Sequence, residues 1–301
     1  MKHAYLIMAH NDFGILEKQL RLLDNPQNDF YVHIDKKVKQ FPFEKFNHFL
    51  QHSNICFVKR ISITWGDFSM VKCELNLLEA ATKKQYNYYH LLSGVDLPLK
   101  SQNEILSFFK NHNGKDFVHF TSDNDAEQAW PRICAYHCMW THTKSKNPFE
   151  RFIKNITQKI FYIPTKIFGG RKYNQNIAIA YGSQWFSITH KLAEYVVTKK
   201  SWIYKHFRFT CCPDEHFLQM IIKNFDLEDS LFYPNPNNDY LSCLRYIDWS
   251  RGNPYTFRTH DFESLINSPF IFARKFNTDK DAVIVDMLFE YVKTKNENIN
   301  N

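Results

Sequence analysis

At 301 residues, 44% hydrophobic and 23% charged, the chain has the make-up of a globular protein with material for a large buried core, and disordered, collagen-like and coiled-coil chains are excluded. The aromatic share of 17% is high. The net charge of +7 suggests an anionic partner, which could be nucleic acid, a phosphate-bearing small molecule or an acidic membrane surface.

The first third alternates apolar strands with amphipathic helices. Residues 4–9 read as a strand, 13–23 as a helix with Ile15, Leu16, Leu20, Leu22 and Leu23 to one side, 30–34 and 55–58 as strands, 68–82 as a helix, 88–92 as a strand and 102–110 as a helix. This order predicts an α/β fold, a mostly parallel central sheet with helices on both faces. Ligands of such sheets lie at the carboxyl ends of the strands. The candidates there are His10 and Asn11; Asp35, Lys36 and Lys37; Thr64, Trp65 and Gly66; and Ser93, Gly94 and Asp96. A polar loop, 121–125, marks a boundary. After it we expect a basic amphipathic stretch (147–168), a strand at 177–180, helices from Thr189 and Asp214, a Pro- and Asn-rich loop at 234–238, an apolar run at 270–273, a closing helix from 280 to 292 and a polar tail.

The apolar run after Lys2 ends at His10, too short for a secretory signal, and no stretch reaches the roughly 18 apolar residues of a membrane span. Seven irregularly spaced cysteines argue against a disulfide framework. A reduced, cytoplasmic protein is expected.

No glycine-rich phosphate loop is present, so a bound nucleotide has to be held by side chains. Arg274 and Lys275 follow an apolar run that a strand would carry to the ligand edge; they are either a phosphate grip or a solvated turn. Pro213-Asp214-Glu215 starts a helix, with its acids either complementing the helix dipole or holding a general base at a cleft. Asp123-Asn124-Asp125 has the D-x-D form of a divalent-cation site, and Cys134, His137, Cys138 and His142 have a helical spacing open to zinc.

Taken together, the motifs resemble the core-2/I-branching family of glycosyltransferases, which includes β-1,6-N-acetylglucosaminyltransferases and peptide O-xylosyltransferases. The resemblance runs in order through residues 5–10, 32–37, Thr64-Trp65-Gly66, 90–99, Gly182-Ser183-Gln184-Trp185-Phe186, Pro213-Asp214-Glu215, 244–249 and Phe272-Ala273-Arg274-Lys275-Phe276. It implies a single GT-A type catalytic domain, with a nucleotide-binding half (1–120), an acceptor-binding and catalytic half (121–293) and a tail (294–301). It implies an inverting transfer of a sugar from a UDP-sugar donor to a hydroxyl of a saccharide or lipid-linked saccharide, giving a β-linkage without an obligatory metal. Carried over by motif, Glu215 is the general base and Arg274, Lys275 and Arg258 hold the diphosphate. Met8, Asp35, Ile63, Thr64 and Trp65 meet the nucleoside, and Gln184 and Trp185 line the donor pocket. Gln184 stands where the xylosyltransferase type has an acid, whereas Trp65-Gly66 and Phe272 to Phe276 look nearer that type; the donor is expected to be GlcNAc first and xylose next. The competing reading is a non-catalytic carbohydrate-binding protein that retains the fold.

The charge is concentrated in one segment. Between Thr141 and Lys172, eight basic residues (Lys144, Lys146, Arg151, Lys154, Lys159, Lys166, Arg171, Lys172) face one acid, Glu150, so this stretch carries the whole net charge and no nucleic-acid partner is expected. Phe149, Phe152, Ile153, Ile156, Ile160 and Ile167 recur there at helical spacing. Two readings stand: a helix docked on the core with a solvated basic face, or a peripheral contact of 147–172 with an anionic membrane, which for this protein would be its inner face.

Overall fold

The computed structural model describes residues 1–137, 177–233 and 239–297, together with Pro148, Phe149, Phe152, Ile156, Ile160 and Ile163. Six strands form the central sheet: β1 (His3–Ala9), β2 (Asn28–Ile34), β3 (Asn54–Phe57), β4 (Tyr88–Ser93), β6 (Phe117–Val118) and β7 (Phe186–Thr189), in the order β3-β2-β1-β4-β7-β6. β1, β2, β3 and β4 are mutually parallel, while β7 runs antiparallel to both β4 and β6. The mixed α/β architecture and the mostly parallel sheet are those expected.

β1 is buried on both faces, as its unbroken apolar run requires. Ala4, Leu6 and Met8 pack with α3 (Ser69–Ala81), α6 (His190–Thr198), α7 (Lys200–Phe207) and α8 (Phe217–Asn224). Tyr5, Ile7 and Ala9 pack on the opposite face with α1 (Phe13–Leu22) and α4 (Gln102–Asn111), and Phe46 of α2 (Phe43–His48) joins them. The alternation follows from the two-residue period of a strand. Gly94, just past β4, is needed because a Cβ there would lie 2.7 Å from that of Ala9.

A second sheet, β5 (Leu97–Pro98), β9 (Phe272–Arg274) and β8 (Arg245–Ile247), joins the two halves of the sequence. Arg245 is its buried anchor. It donates to the carbonyls of Leu91, Phe186 and Cys243 and to Ser187 Oγ, and its guanidinium lies 4.8 Å from the Phe272 ring centroid. The short helices α9 (Asp239–Ser242) and α10 (Phe262–Ile266) precede the closing helix, α11 (Ala282–Glu297). α11 extends beyond the apolar stripe that predicts its end at 292. The polar Asn296 fastens it to α1 and α4, donating to the Leu22 carbonyl and accepting from the Gln102 N–H.

Three expectations are corrected. Residues 177–180 form no strand: Asn224 takes both the N–H and the carbonyl of Ala178, and His216 takes the carbonyl of Ala180. The ladder is made further on, by Phe186–Thr189. Asp123 and Asp125 are not in a loop but in the first turn of α5 (Asp123–Cys134), which Ser122 caps by accepting from the Asp125 N–H. Pro213–Glu215 is a 3₁₀ turn, and the helix itself starts at Phe217. In the segment read either as a docked helix or as a membrane contact, Phe149, Phe152, Ile156 and Ile160 are exposed. Its basic residues, Ile153 and Ile167, like the loop at 234–238, Cys138, His142 and the chain after 297, lie outside the described residues.

Candidate active site

The site opens at the carboxyl ends of β1, β2 and β4. The Asp35 carboxylate, just after β2, accepts from the N–H groups of Lys37 (2.8 Å) and Ile63 (3.3 Å) and pairs with Lys37 Nζ at 3.8 Å. His33 accepts from the Ile61 N–H, and Ser69 Oγ from that of Thr64. These bonds fix the segment 61–64, after which Trp65 stands 54% exposed. His10 is within electrostatic reach of Asp35, Lys37 and Arg274, and burial holds its pKa below the ordinary value.

Arg274 reaches this edge from β9. Its guanidinium stacks 4.0 Å from the Trp185 ring centroid, and its Nε lies 3.8 Å from Asp96 and, though buried, makes no hydrogen bond. Asp96 is held by the N–H and hydroxyl of Ser93. The Lys275 carbonyl accepts from the Phe257 N–H. Arg258 follows Phe257 in the chain, but its guanidinium is bound to the Lys280 carbonyl, so the structure does not direct it at the Arg274 group.

The acidic side is built on the 3₁₀ turn. Cys212 precedes it in the left-handed region (φ 48°) and donates its N–H to the Gly66 carbonyl, while the Gly182 N–H donates to the Glu215 carbonyl. Glu215, 28% exposed at its side chain, pairs with Arg132 Nη1 at 2.9 Å. That guanidinium also donates to the Tyr181 hydroxyl and lies 5.1 Å from its ring centroid. Burial raises the Glu215 carboxyl above its ordinary value, and Arg132 and Tyr181 pull it back. Asp214, fully buried, is pushed up to about 8 by desolvation and then by the Glu215 charge. Deeper still, burial and then Asp214 hold Glu74 well above the carboxylate range, with Gln184 as its 2.8 Å partner. Burial thus favours the neutral form of Asp214 and Glu74 beside the more exposed Glu215.

The segment Gly182–Trp185 joins the two sides. A side chain at 182 is sterically forbidden, because a Cβ would fall 1.9 Å from the His119 carbonyl oxygen. His119 accepts from the Ser183 N–H, and Gln219 donates to the carbonyls of His119 and Ser183. From this fixed segment Gln184 reaches Met8 Sδ (3.7 Å) and Trp185 covers Arg274.

The motif residues Met8, Gln184, Trp185, Glu215 and Arg274 are therefore linked through this framework, while Asp35 is tied to the segment 61–64. Arg132, Tyr181 and Glu74 belong to the framework and are absent from the sequence reading. Only Glu74 carried a signal, being an acid among the apolar positions Val71, Leu75 and Leu78 of α3. The candidate metal residues are otherwise engaged: Asp123 pairs with Lys223 and Asp125 bonds Ser122. Among the described residues no group of three or more His, Cys, Asp or Glu is placed to hold a metal.

The sequence profile of the core-2/I-branching enzymes matches residues 3–266, a span that takes in every one of these residues except Arg274. The chain belongs to the core-2/I-branching enzyme family. Within it, the chain is 25% identical over 312 residues to human N-acetyllactosaminide β-1,6-N-acetylglucosaminyl-transferase, covering 95% of this chain and 70% of that relative. It is 22% identical over 304 residues to xylosyltransferase 2 of Canis lupus familiaris and 23% identical over 320 residues to xylosyltransferase 1 of Rattus norvegicus. The chain spans about a third of the length of these two xylosyltransferases, 33% and 35%. The apo crystal structure of mouse xyloside xylosyltransferase 1 aligns over 90% of this core-2/I-branching chain and 96% of its own, with TM-score 0.36 and 9% identity.

Proposed function

We propose that the protein is an inverting glycosyltransferase that moves a sugar, GlcNAc first and xylose next, from a UDP-sugar to a hydroxyl of a saccharide or lipid-linked saccharide. The observation that carries this reading is the framework in which one segment, Gly182–Trp185, holds a solvent-reaching carboxylate at one end and, at the other, a partly buried cation whose buried Nε makes no hydrogen bond. Inverting transfer needs both. Glu215 takes the proton of the acceptor hydroxyl as its oxygen attacks the anomeric carbon, and the bond to the diphosphate breaks on the opposite face. Arg274 and Lys275 meet the charge that develops on the leaving diphosphate, without a metal. Asp35 and the segment 61–65 it fixes take the nucleoside, with Trp65 as an exposed aromatic surface. Arg132, paired with Glu215 at 2.9 Å, orients its carboxylate.

The test is release of UDP by purified protein from UDP-GlcNAc and UDP-xylose over a panel of saccharide acceptors, with and without chelator. Acceptor-dependent release that survives the chelator and is lost in Glu215→Gln is the expected result. Release equal to that of Glu215→Gln across the panel overturns the reading.

A further inference from the structure

We propose that Cys211 and Cys212 form a vicinal dithiol that a hydroperoxide converts reversibly into a disulfide, a modification site set at the start of the Glu215 turn. Both thiols are free, and their Sγ atoms lie 3.7 Å apart, within the reach of a thiol hydrogen bond. Neither is sealed from solvent: Cys211 is 6% and Cys212 7% exposed, and hydrogen peroxide is scarcely larger than water. They are also chemically unequal. The hydrogen bond with Cys212 and then the Arg132 charge draw the Cys211 thiol below its ordinary value against its burial, while the same bond and burial push Cys212 up. A more acidic thiol beside a less acidic one supplies a nucleophile and a resolving partner. The Cys211 thiolate attacks one peroxide oxygen and the O–O bond breaks, leaving a sulfenic acid on Cys211, while the departing hydroxide takes up the thiol proton as water. The Cys212 sulfur then attacks the sulfenic sulfur, the S–S bond forms, and the hydroxyl leaves with the Cys212 proton as a second water. Two thiols are oxidised and one peroxide is reduced, and an external dithiol reverses the change by exchange.

The backbone carries this change into the site. The Cys211 N–H donates to the Arg132 carbonyl (2.8 Å), the Cys212 N–H to the Gly66 carbonyl (2.9 Å), and the Cys212 carbonyl accepts from the Glu215 N–H (3.2 Å). Drawing the sulfurs from 3.7 Å to the roughly 2.05 Å of a disulfide turns the peptide that these three bonds hold. Glu215, its partner Arg132 and Trp65-Gly66 shift with it. The modification stands apart from the sugar-transfer reading; only its effect on transfer rests on that reading.

The experiment treats the full chain with hydrogen peroxide, alkylates the remaining thiols with iodoacetamide and weighs the tryptic peptide 209–223, which holds both cysteines. The peptide is expected to carry no alkyl group and to be lighter by two hydrogens than the dithiol form, and dithiothreitol before alkylation is expected to restore both alkylation sites. In Cys212→Ser, Cys211 is expected to stop at the sulfenic acid and to be trapped by dimedone. Hydrogen exchange of the unmodified protein needs no variant and reads the coupling, with faster exchange across 211–216 expected in the oxidised form. UDP release is expected to be lost on oxidation and to return with dithiothreitol. Two alkylated thiols after peroxide, a disulfide from either cysteine to a third, or a sulfinic acid that dithiothreitol does not reverse overturns the modification. A disulfide that leaves exchange across 211–216 unchanged overturns its coupling to the Glu215 turn. Absence of transfer by the reduced protein counts against the sugar-transfer reading instead, and the mass and exchange results decide this proposal without it.

Discussion

Glu215 sits between opposing influences, and this gives its replacement and that of its neighbours distinct signatures. Glu215→Gln removes the proposed base but keeps the shape, so kcat is expected to fall by about 10²–10⁴-fold while UDP binding, read by calorimetry, is retained. Arg132 favours the ionised carboxylate, hence Arg132→Ala is expected to move the acidic limb of the pH–rate profile to higher pH; an unshifted limb would show that Glu215 is not the titrating base. Arg274→Ala, which removes the buried cation under Trp185, is expected to lower kcat by roughly 10²-fold and to raise the donor KM as well. The sequence showed Glu215 and Arg274 only through motif context, since each has an ordinary alternative as a helix-start acid or a turn cation. Arg132 and Tyr181 had no such context, because what unites them with Glu215 is a three-dimensional contact between residues 83 and 49 positions apart.

At the level of elements, the main strands and helices of the first third were legible because β1, β2 and β4 are buried on both faces and the helices along one stripe, whereas the short helix α2 was not read. The region after residue 120 was less so. Its apolar run at 177–180 has strand composition, yet side chains of α8 and the adjoining turn satisfy its backbone, and competition of this kind leaves no mark on local sequence. Arg245 shows the same limit, since a motif arginine turns out to be a structural bolt between the two sheets. Arg245→Met is expected to cost about 3 kcal/mol or more in denaturant-midpoint stability, because the carbonyls of Leu91, Phe186 and Cys243 lose a common donor inside the core.

For the whole molecule, buried histidines set the acid limit of stability. Burial lowers His3 to about 3 and His33, His119 and His216 to about 4. Between the unfolded value near 6.5 and these folded values the unfolded chain binds the extra protons, so stability falls as pH drops through that window, by up to about 1.4 kcal/mol per pH unit for each proton. Glu74, Asp96, Asp116, Asp214 and Glu215, raised by burial, act in the opposite sense as pH falls, but the lowered histidines, which also include His10, His90 and His137, outnumber them. Thermal midpoints between pH 7 and pH 4 are thus expected to decline toward acid, and Asp214→Asn is expected to be more stable than the parent at neutral pH. A flat profile would show that these histidines are solvated.

The place of β9 bears on how the protein is made. Arg274 reaches the sheet edge only when residues 272–274 enter between β5 and β8, roughly 175 positions after β5 was synthesised. A nascent chain emerging from the ribosome therefore carries Asp35, the segment 61–65 and Glu215 well before it carries the strand that delivers Arg274. The proposed diphosphate grip is the last part of the site to exist, and a chain stopped short of residue 274 lacks it however well its first sheet has formed.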